Sequence, residues 1–329
     1  MLTRKLGRSN LEVSAVGLGC WALGGAYTAG GKAVGWGQVD DRESMRAIDR
    51  ALELGITFFD TAACYGAGHS ERVLGRGLAG KRDDVVIATK FGHRFDEKAR
   101  EALGSDTSVD NLKQSCDDSL HRLRTDHIDI LQFHVGGHDP AEVDDILATL
   151  ENLVDAGKIR WYGWSTDNPQ SVARFAQGKH CAVVQQRLNV LEGNLKTLAV
   201  AEREGLASIV RTPLAKGILL GKFSHGDKLP ADDVRHRWDT ESGVVAKAID
   251  ISARLLDLLK TDGRTPAQGA LGWILAKSEI TLPIPGFKSV KQVEDNVAAA
   301  EKGPLPPDAM AAIDRVLDEE GWERSTTFA

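Results

Sequence analysis

Four side chains in the first half of the chain have types that can move a proton: Asp60 and Tyr65 in FFDTAACYG, Lys90 in VVIATKFG, and His134 closing IDILQFH. A phenol with its ordinary pKa of about 10 is too weak an acid for efficient catalysis near neutrality, but a nearby ammonium favours phenolate and lowers that value. Lys90 can supply the charge. An ammonium in a desolvated pocket needs a counter-ion, and Asp60 is the candidate. His134 can donate a hydrogen bond to the carbonyl oxygen that Tyr65 protonates, steering the substrate and stabilising developing negative charge. Taken singly, each residue has an ordinary alternative: an Asp after a strand often caps a helix, and a buried Lys or His is often a satisfied structural group. The joint arrival of all four at the ends of three consecutive apolar runs favours a shared site, and none of this chemistry needs a metal.

Those runs belong to an alternation of short apolar stretches with amphipathic segments, the signature of βα units around a parallel sheet. Strands are predicted over residues 16–21, 57–61, 85–90, 128–134, 161–165, 183–188, 208–212 and 281–285. Between them, Asp40 with Glu43 reads as a capping box, Met45, Ile48 and Leu52 as one helical stripe, and Gly55 as a left-handed stop. Asp139-Pro140 and Asn168-Pro169 each read as a cap followed by a first-turn proline. Val143, Ile146, Leu147, Leu150 and Val154 form a buried face ending at Gly157, and Val109, Leu112, Cys116, Leu120 and Leu123 form another. Residues 2–13 read as a hairpin plugging one barrel end, and residues 224–245 as a long loop over the active face. A doubly wound sheet is the alternative, but its dinucleotide turn needs GxGxxG and this first turn reads GLGCWALGG. Eight units favour an α/β (β/α)8 TIM barrel, one domain over residues 1–329, with an N-terminal β-hairpin and extra C-terminal helix and loops. In such a barrel the active groups sit at the carboxyl ends of the strands.

Composition narrows the function. The formal net charge is −6 with no run of Lys and Arg on one face, which disfavours nucleic acid as a partner. Cys20, Cys64, Cys116 and Cys181 are scattered without metal-type or disulfide-framework spacing, as in a reducing compartment. No apolar stretch is long enough to span a membrane, and Gly7, Arg8, Ser9 and Asn10 stand where a signal peptide needs apolar residues. A cytoplasmic location is expected. The sequence does not indicate an oligomeric state.

The segment DTAACYGAGHSERVLG, residues 60–75, with IATKFG and LQFH, resembles the aldo-keto reductase family across nearly the whole chain. The resemblance implies hydride transfer from NADPH to an aldehyde or ketone, with Asp60, Tyr65, Lys90 and His134 as the catalytic tetrad and Tyr65 as general acid. GWSTDN is similar to the family's carboxamide-binding segment, so Ser165 is expected on the nicotinamide amide, with Thr166 in the place of an asparagine; Gln185 is expected there too. RTPLAKGILLGK puts Arg211 where an aromatic ring usually lies under the nicotinamide, and a guanidinium can stack on a ring. Thr212, Pro213, Leu214, Ala215 and Gly217 then pass the pyrophosphate, with Lys222 as charge partner. In LPIPGFKSVKQVEDN the resemblance places Gly286, Lys288, Gln292 and Asn296 at the adenosine end, Lys288 on the 2′-phosphate; Ser289 and Gln292 also read as a capping box. Cys20, Trp21 and Asp60 complete the expected cofactor contacts. Trp21, Tyr27, Trp36, Phe91 and Trp238, on or near rim loops, are expected to line the substrate pocket. Two other functions stay open at this stage: a non-turnover NADPH-binding regulatory subunit or sensor, and a barrel aldolase or hydrolase using Lys90 as a Schiff-base amine.

Overall fold

Residues 1–325 and Phe328 are described by a computed structural model. Eight parallel strands form one sheet in the spatial order of the sequence: Leu18–Gly19, Phe58–Asp60, Val86–Phe91, Ile128–Phe133, Ile159–Ser165, Cys181–Arg187, Ala207–Arg211 and Thr281–Pro283. The sheet curls until its ends meet. Gly17 and Gly19 donate to the Pro283 and Pro285 carbonyls at 3.0 Å each, and Gly19 bridges Gly286 in parallel. The fold is therefore a (β/α)8 barrel.

Side-chain alternation along these strands sorts the barrel interior by height. Phe58, Val86, Ala88, Ile130, Val183, Ala207, Ile209, Leu282 and Ile284 form an apolar cluster at the base. The next inward positions toward the carboxyl ends are Asp60, Lys90, Gln132, Gln185 and Arg211. The same five strands thus carry a dry floor and a polar mouth. Outward-facing Phe59, Ile87, Leu131, Phe133, Trp164 and Val184 pack under the surrounding helices.

The N-terminal hairpin pairs Thr3–Lys5 with Glu12–Ser14, and its Leu6 and Val13 close the base of the barrel. Its tip fits there only because residue 7 is glycine. A Cβ at Gly7, where φ is 52°, would stand 2.2 Å from the Ala182 carbonyl oxygen. Gly243–Leu259 and Pro307–Glu319 pack on each other as additional helices outside the eight-fold repeat.

Helix ends follow the expected chemistry except that two expected capping boxes are incomplete: Ser289 caps Val290–Lys302, but Gln292 accepts from Lys288 N–H and not from Ser289 N–H. Asn168 accepts from Gln170 N–H at 2.9 Å, and Asp139 caps a short 3-10 turn, Pro140–Glu142, ahead of the helix Asp144–Asp155. Asp40 caps Asp41–Glu53 through Arg42 N–H at 2.8 Å, but Glu43 does not complete the capping box. It accepts instead from Val290 N–H at 3.0 Å, the first residue of the helix after the last barrel strand. Closing the barrel brings those two helix starts together, and the orphan donor across the gap takes the carboxylate.

A four-stranded flap, absent from the sequence expectation, joins Thr28–Ala29 and Lys32–Ala33 to His93–Asp96 and Glu101–Ser105. It links the loops after the first and third barrel strands above the mouth. The stretch 224–242 is irregular and crosses to the first loop, where Val234 N–H donates to the Gly35 carbonyl at 2.7 Å and Trp36 bridges Asp233.

Candidate active site

The polar layer at the mouth is organised around one carboxylate. Lys90 Nζ donates to Asp60 Oδ1 at 2.5 Å and to the Thr61 carbonyl at 2.7 Å, and lies 3.2 Å from the Tyr65 hydroxyl. Asp60 Oδ2 accepts from Gln185 Nε2 at 2.7 Å and Gln132 Nε2 at 3.0 Å. Lys90 and Asp60 are 1% and 2% exposed, so each charge depends on the other and on these neutral donors to offset its lost hydration. Gln132 was not among the residues expected at the site. The signal was there: in IDILQFH, an inward His134 requires an inward residue two places earlier.

Tyr65 reaches Lys90 from the loop after the second strand. Gly66 is pressed against the Gly24 turn of the first loop, where a Cβ would meet Gly24 O at 2.0 Å, so the two loops can touch only at glycine. That contact brings Trp21 over Tyr65, stacked with centroids 5.8 Å apart, and Trp36 meets Trp21 edge-on at 5.3 Å. On the other side the Tyr65 and His134 rings meet edge-on at 5.9 Å. His134 Nδ1 faces Cys64 Sγ at 3.7 Å, and His93 of the flap lies 5.1 Å beyond.

Electrostatics at Tyr65 run opposite to the sequence expectation. Burial pushes its phenol well above the ordinary value of 10, and the Asp60 charge adds to the rise, while Arg211 pulls the other way. The ammonium that was to acidify the phenol is answered at 2.5 Å by Asp60, and desolvation of a phenolate dominates. Tyr65 is therefore a protonated acid at neutral pH. Burial holds His134 well below the usual 6.5, helped by the charges of Lys90 and Arg211 and by any proton on His93, so its ring is neutral.

The expected substrate-pocket residues divide. Trp21, Trp36 and Tyr65 form the ring row just described, and burial beside Cys64 and Tyr65 raises the phenol of Tyr27. Phe91 does not face the mouth. It follows inward-facing Lys90 by one residue, so it points to the helical layer, 2% exposed and stacked on Phe133 at 5.3 Å. Trp238 sits in the crossing segment, edge-on to Phe223 at 5.7 Å and to Phe328 at 6.4 Å.

Among the expected cofactor positions, Cys20 is fully buried, its thiol in the helix-side core and its carbonyl accepting from Ser70 Oγ at 2.7 Å. Its side chain is not presented at the mouth: Gly19, paired with Asp60, takes the inward position and Cys20 faces the helical layer. Ser165 ends its strand. Thr166 is 1% exposed and uses its hydroxyl to hold the Gly136 carbonyl at 2.9 Å, a latch between the loops after the fourth and fifth strands. The Gln185 amide nitrogen is given to Asp60. Arg211 donates to Asp167 Oδ2 at 2.5 Å, a partner the sequence analysis did not identify.

The turn after the seventh strand is strained. Thr212, Ala215, Lys216 and Gly217 have φ of 52°, 48°, 51° and 98°, and each non-glycine residue there costs about 1–3 kcal/mol. Thr212 Oγ1 is buried and has no hydrogen-bond partner among the described residues. Pro213, Leu214 and Ala215 fold this turn onto the core beneath it, and Lys222 is exposed. Arg235, from the crossing segment, holds the turn through the Lys216 carbonyl at 3.0 Å while pairing with Asp233 at 2.7 Å. At the eighth strand, Asn296 donates to the Gly286 carbonyl at 3.3 Å, and Gln292 accepts from Lys288 N–H at 2.7 Å. Gly286 itself is exposed, with no heavy atom closer to a built Cβ than Gly19 O at 3.9 Å. The Lys288 ammonium is turned onto the carbonyls of Trp36 and, at 3.4 Å, Gln38. Among the described residues no three or more His, Cys, Asp or Glu side chains gather as metal ligands would, and no helix is long and apolar enough to cross a membrane.

Known proteins share this architecture. A model of the Aldo/keto reductase family matches residues 15–318. The chain is 30% identical over 308 residues to the aldo-keto reductase yakc, NADP(+), of Schizosaccharomyces pombe, covering 90% of this chain and 86% of that one. It is 28% identical over 316 residues to YqkF of Bacillus subtilis, named an uncharacterized oxidoreductase, with 95% of each covered. Among solved structures, the glycerol dehydrogenase AKR11B4 from Gluconobacter oxydans superposes with a TM-score of 0.83 at 28% identity over 99% of both chains. The holo form of aldo-keto reductase AKR11C1 from Bacillus halodurans gives 0.79 at 27% identity over 100% of this chain and 98% of that one. With the family model spanning nearly every barrel unit, the chain belongs to the aldo/keto reductase family and is an oxidoreductase.

Proposed function

We propose that this protein reduces an aldehyde or ketone to an alcohol with NADPH, Tyr65 acting as general acid, and that residues 1–329 form one barrel domain serving a small-molecule substrate. The observation that carries it is Lys90 Nζ standing between Asp60 Oδ1 and the Tyr65 hydroxyl. As the carbonyl oxygen gains negative charge, Tyr65 gives up its proton and becomes phenolate beside an ammonium already in place, so stabilisation arises in the transition state and not before. Asp60 keeps that ammonium charged and aimed. With Nδ1 toward Cys64, His134 offers Nε2 to the same substrate oxygen, and a neutral ring orients the carbonyl without competing as an acid. Trp21, Trp36 and the flap shield this chemistry from water.

The residues present suit a phosphate-bearing dinucleotide. The turn after the seventh strand is left-handed at Thr212 and again from Ala215 to Gly217, and the buried Thr212 Oγ1, without a partner among the described residues, is an orphaned donor suited to a phosphate oxygen. Lys222 and Lys288 would supply charge, Gly286 an open approach, and Ser165, Gln185 and Arg211 the surroundings of the nicotinamide. When bound, that cofactor supplies the hydride. The NADP(+) in the yeast relative's name supports the choice of the phosphorylated form. The test is cofactor consumption over a panel of aldehydes, ketones and sugars, with NADH run in parallel. Turnover with preference for NADPH is expected; no turnover of any panel member with either cofactor contradicts the proposal.

A further inference from the structure

Arg211 ends the seventh strand one inward step above Ile209 of the apolar floor, in the mouth layer that holds Lys90 and Gln185. Its guanidinium donates to Asp167 Oδ2 at 2.5 Å, while Asp167 Oδ1 is fixed by Arg187 N–H at 2.7 Å and the Asp167 carbonyl by Thr197 Oγ1 at 2.7 Å. A clamped carboxylate therefore aims the guanidinium. The charge of Arg211 is felt at both Tyr65 and His134. A hydride donor must approach the carbonyl carbon whose oxygen Tyr65 protonates, so the nicotinamide ring stands within the same field.

We propose that the Arg211–Asp167 pair makes the site discriminate between the two redox states of its nicotinamide cofactor, holding the reduced form more tightly than the oxidised one. The inference rests on the NADPH reading given above. Both forms carry the same phosphates and sugars, so contacts to those parts cancel in the ratio of their affinities. They differ at the ring, which is neutral when reduced and positively charged when oxidised. A fixed cation at the strand end opposes only the oxidised ring, and Asp167 moderates that opposition by answering part of the charge. Tighter binding of the reduced form raises the potential of the bound couple, by about 30 mV for each tenfold in the ratio, and hastens loss of the spent cofactor.

Equilibrium binding of NADPH and NADP+ to the full chain without substrate, followed by calorimetry, reads the ratio directly. The wild-type ratio of Kd for NADP+ over NADPH is expected to be about tenfold, falling toward unity in Arg211→Gln and staying within about twofold of wild type in Arg211→Lys. Asp167→Asn, which uncovers the charge, is expected to raise the ratio by about threefold. Opposite signs from two contacting residues do not arise from general loosening of the loop. An unchanged ratio in Arg211→Gln, or shifts of one sign in both Arg211→Gln and Asp167→Asn, overturns the inference and leaves the cofactor assignment standing. Failure of the wild-type chain to bind either form overturns both.

Discussion

The Lys90 ammonium lies 2.5 Å from the Asp60 carboxylate and 3.2 Å from the Tyr65 hydroxyl, closer to the group that holds its charge than to the group it serves. Burial, with that ordering, keeps the Tyr65 phenol protonated at rest. In the proposed reaction the acid's strength is realised only when the substrate oxygen begins to draw its proton, and the buried pair would act as a prepositioned field rather than as a means of ionising the phenol in advance.

Removing one member of the pair leaves the other buried and uncompensated. Lys90→Met is expected to lower folding stability by about 3–5 kcal/mol, read from denaturant midpoints. A loss below about 1 kcal/mol means that Gln132 and Gln185 alone satisfy Asp60.

Gln132 donates to Asp60 at 3.0 Å and accepts from Gln185 at 3.3 Å within the same polar layer. Gln132→Leu is expected to reduce kcat about tenfold through a less firmly held carboxylate, with NADPH affinity within about twofold. An equal loss in affinity places Gln132 on the cofactor instead.

The pH profile follows from the direction of each shift. Tyr65 is pushed above its ordinary 10, so the reductive rate should not decline as pH rises through 10 and should fall only beyond it. His134 is pushed below 6.5 and needs stronger acid to become charged. Between 6.5 and that lower value the unfolded chain binds a proton at this position and the folded chain does not, so stability is lost as pH falls through that window. His134→Gln should flatten that part of a stability-against-pH curve; an unchanged slope contradicts the assignment.

Arg235 joins the strained turn after the seventh strand to the segment crossing from Ser224 to Ser242. Arg235→Ala is expected to cost about 1–3 kcal/mol and to expose that segment to limited proteolysis, an effect bound NADPH should partly reverse. Cleavage at the wild-type rate argues that the segment is held elsewhere.

Much of this was legible in the residues. All eight barrel strands were visible as apolar runs, and Asp60, Lys90 and His134 were recognisable because polar residues at strand ends violate the apolar pattern that precedes them. Where local rules failed, the cause was contact between distant segments. Glu43 left its own capping box because barrel closure delivered Val290 N–H, and the flap escaped notice because His93–Asp96 and Glu101–Ser105 are short, half exposed and stabilised by pairing with residue 28. Phe91 was misassigned to the mouth although the alternation starting from Lys90 already turned it outward. The pairing of Arg211 with Asp167 joins two loops 44 residues apart and has no local signature.

In the proposed reaction Tyr65 delivers the proton while cofactor binding lies elsewhere. Single-turnover reduction by Tyr65→Phe, with NADPH affinity measured on the same preparation, tests it most directly. A rate loss of about 10²–10⁴ with affinity within about threefold is expected. Reduction persisting within about tenfold of wild type, or a loss traced wholly to failed cofactor binding, contradicts it.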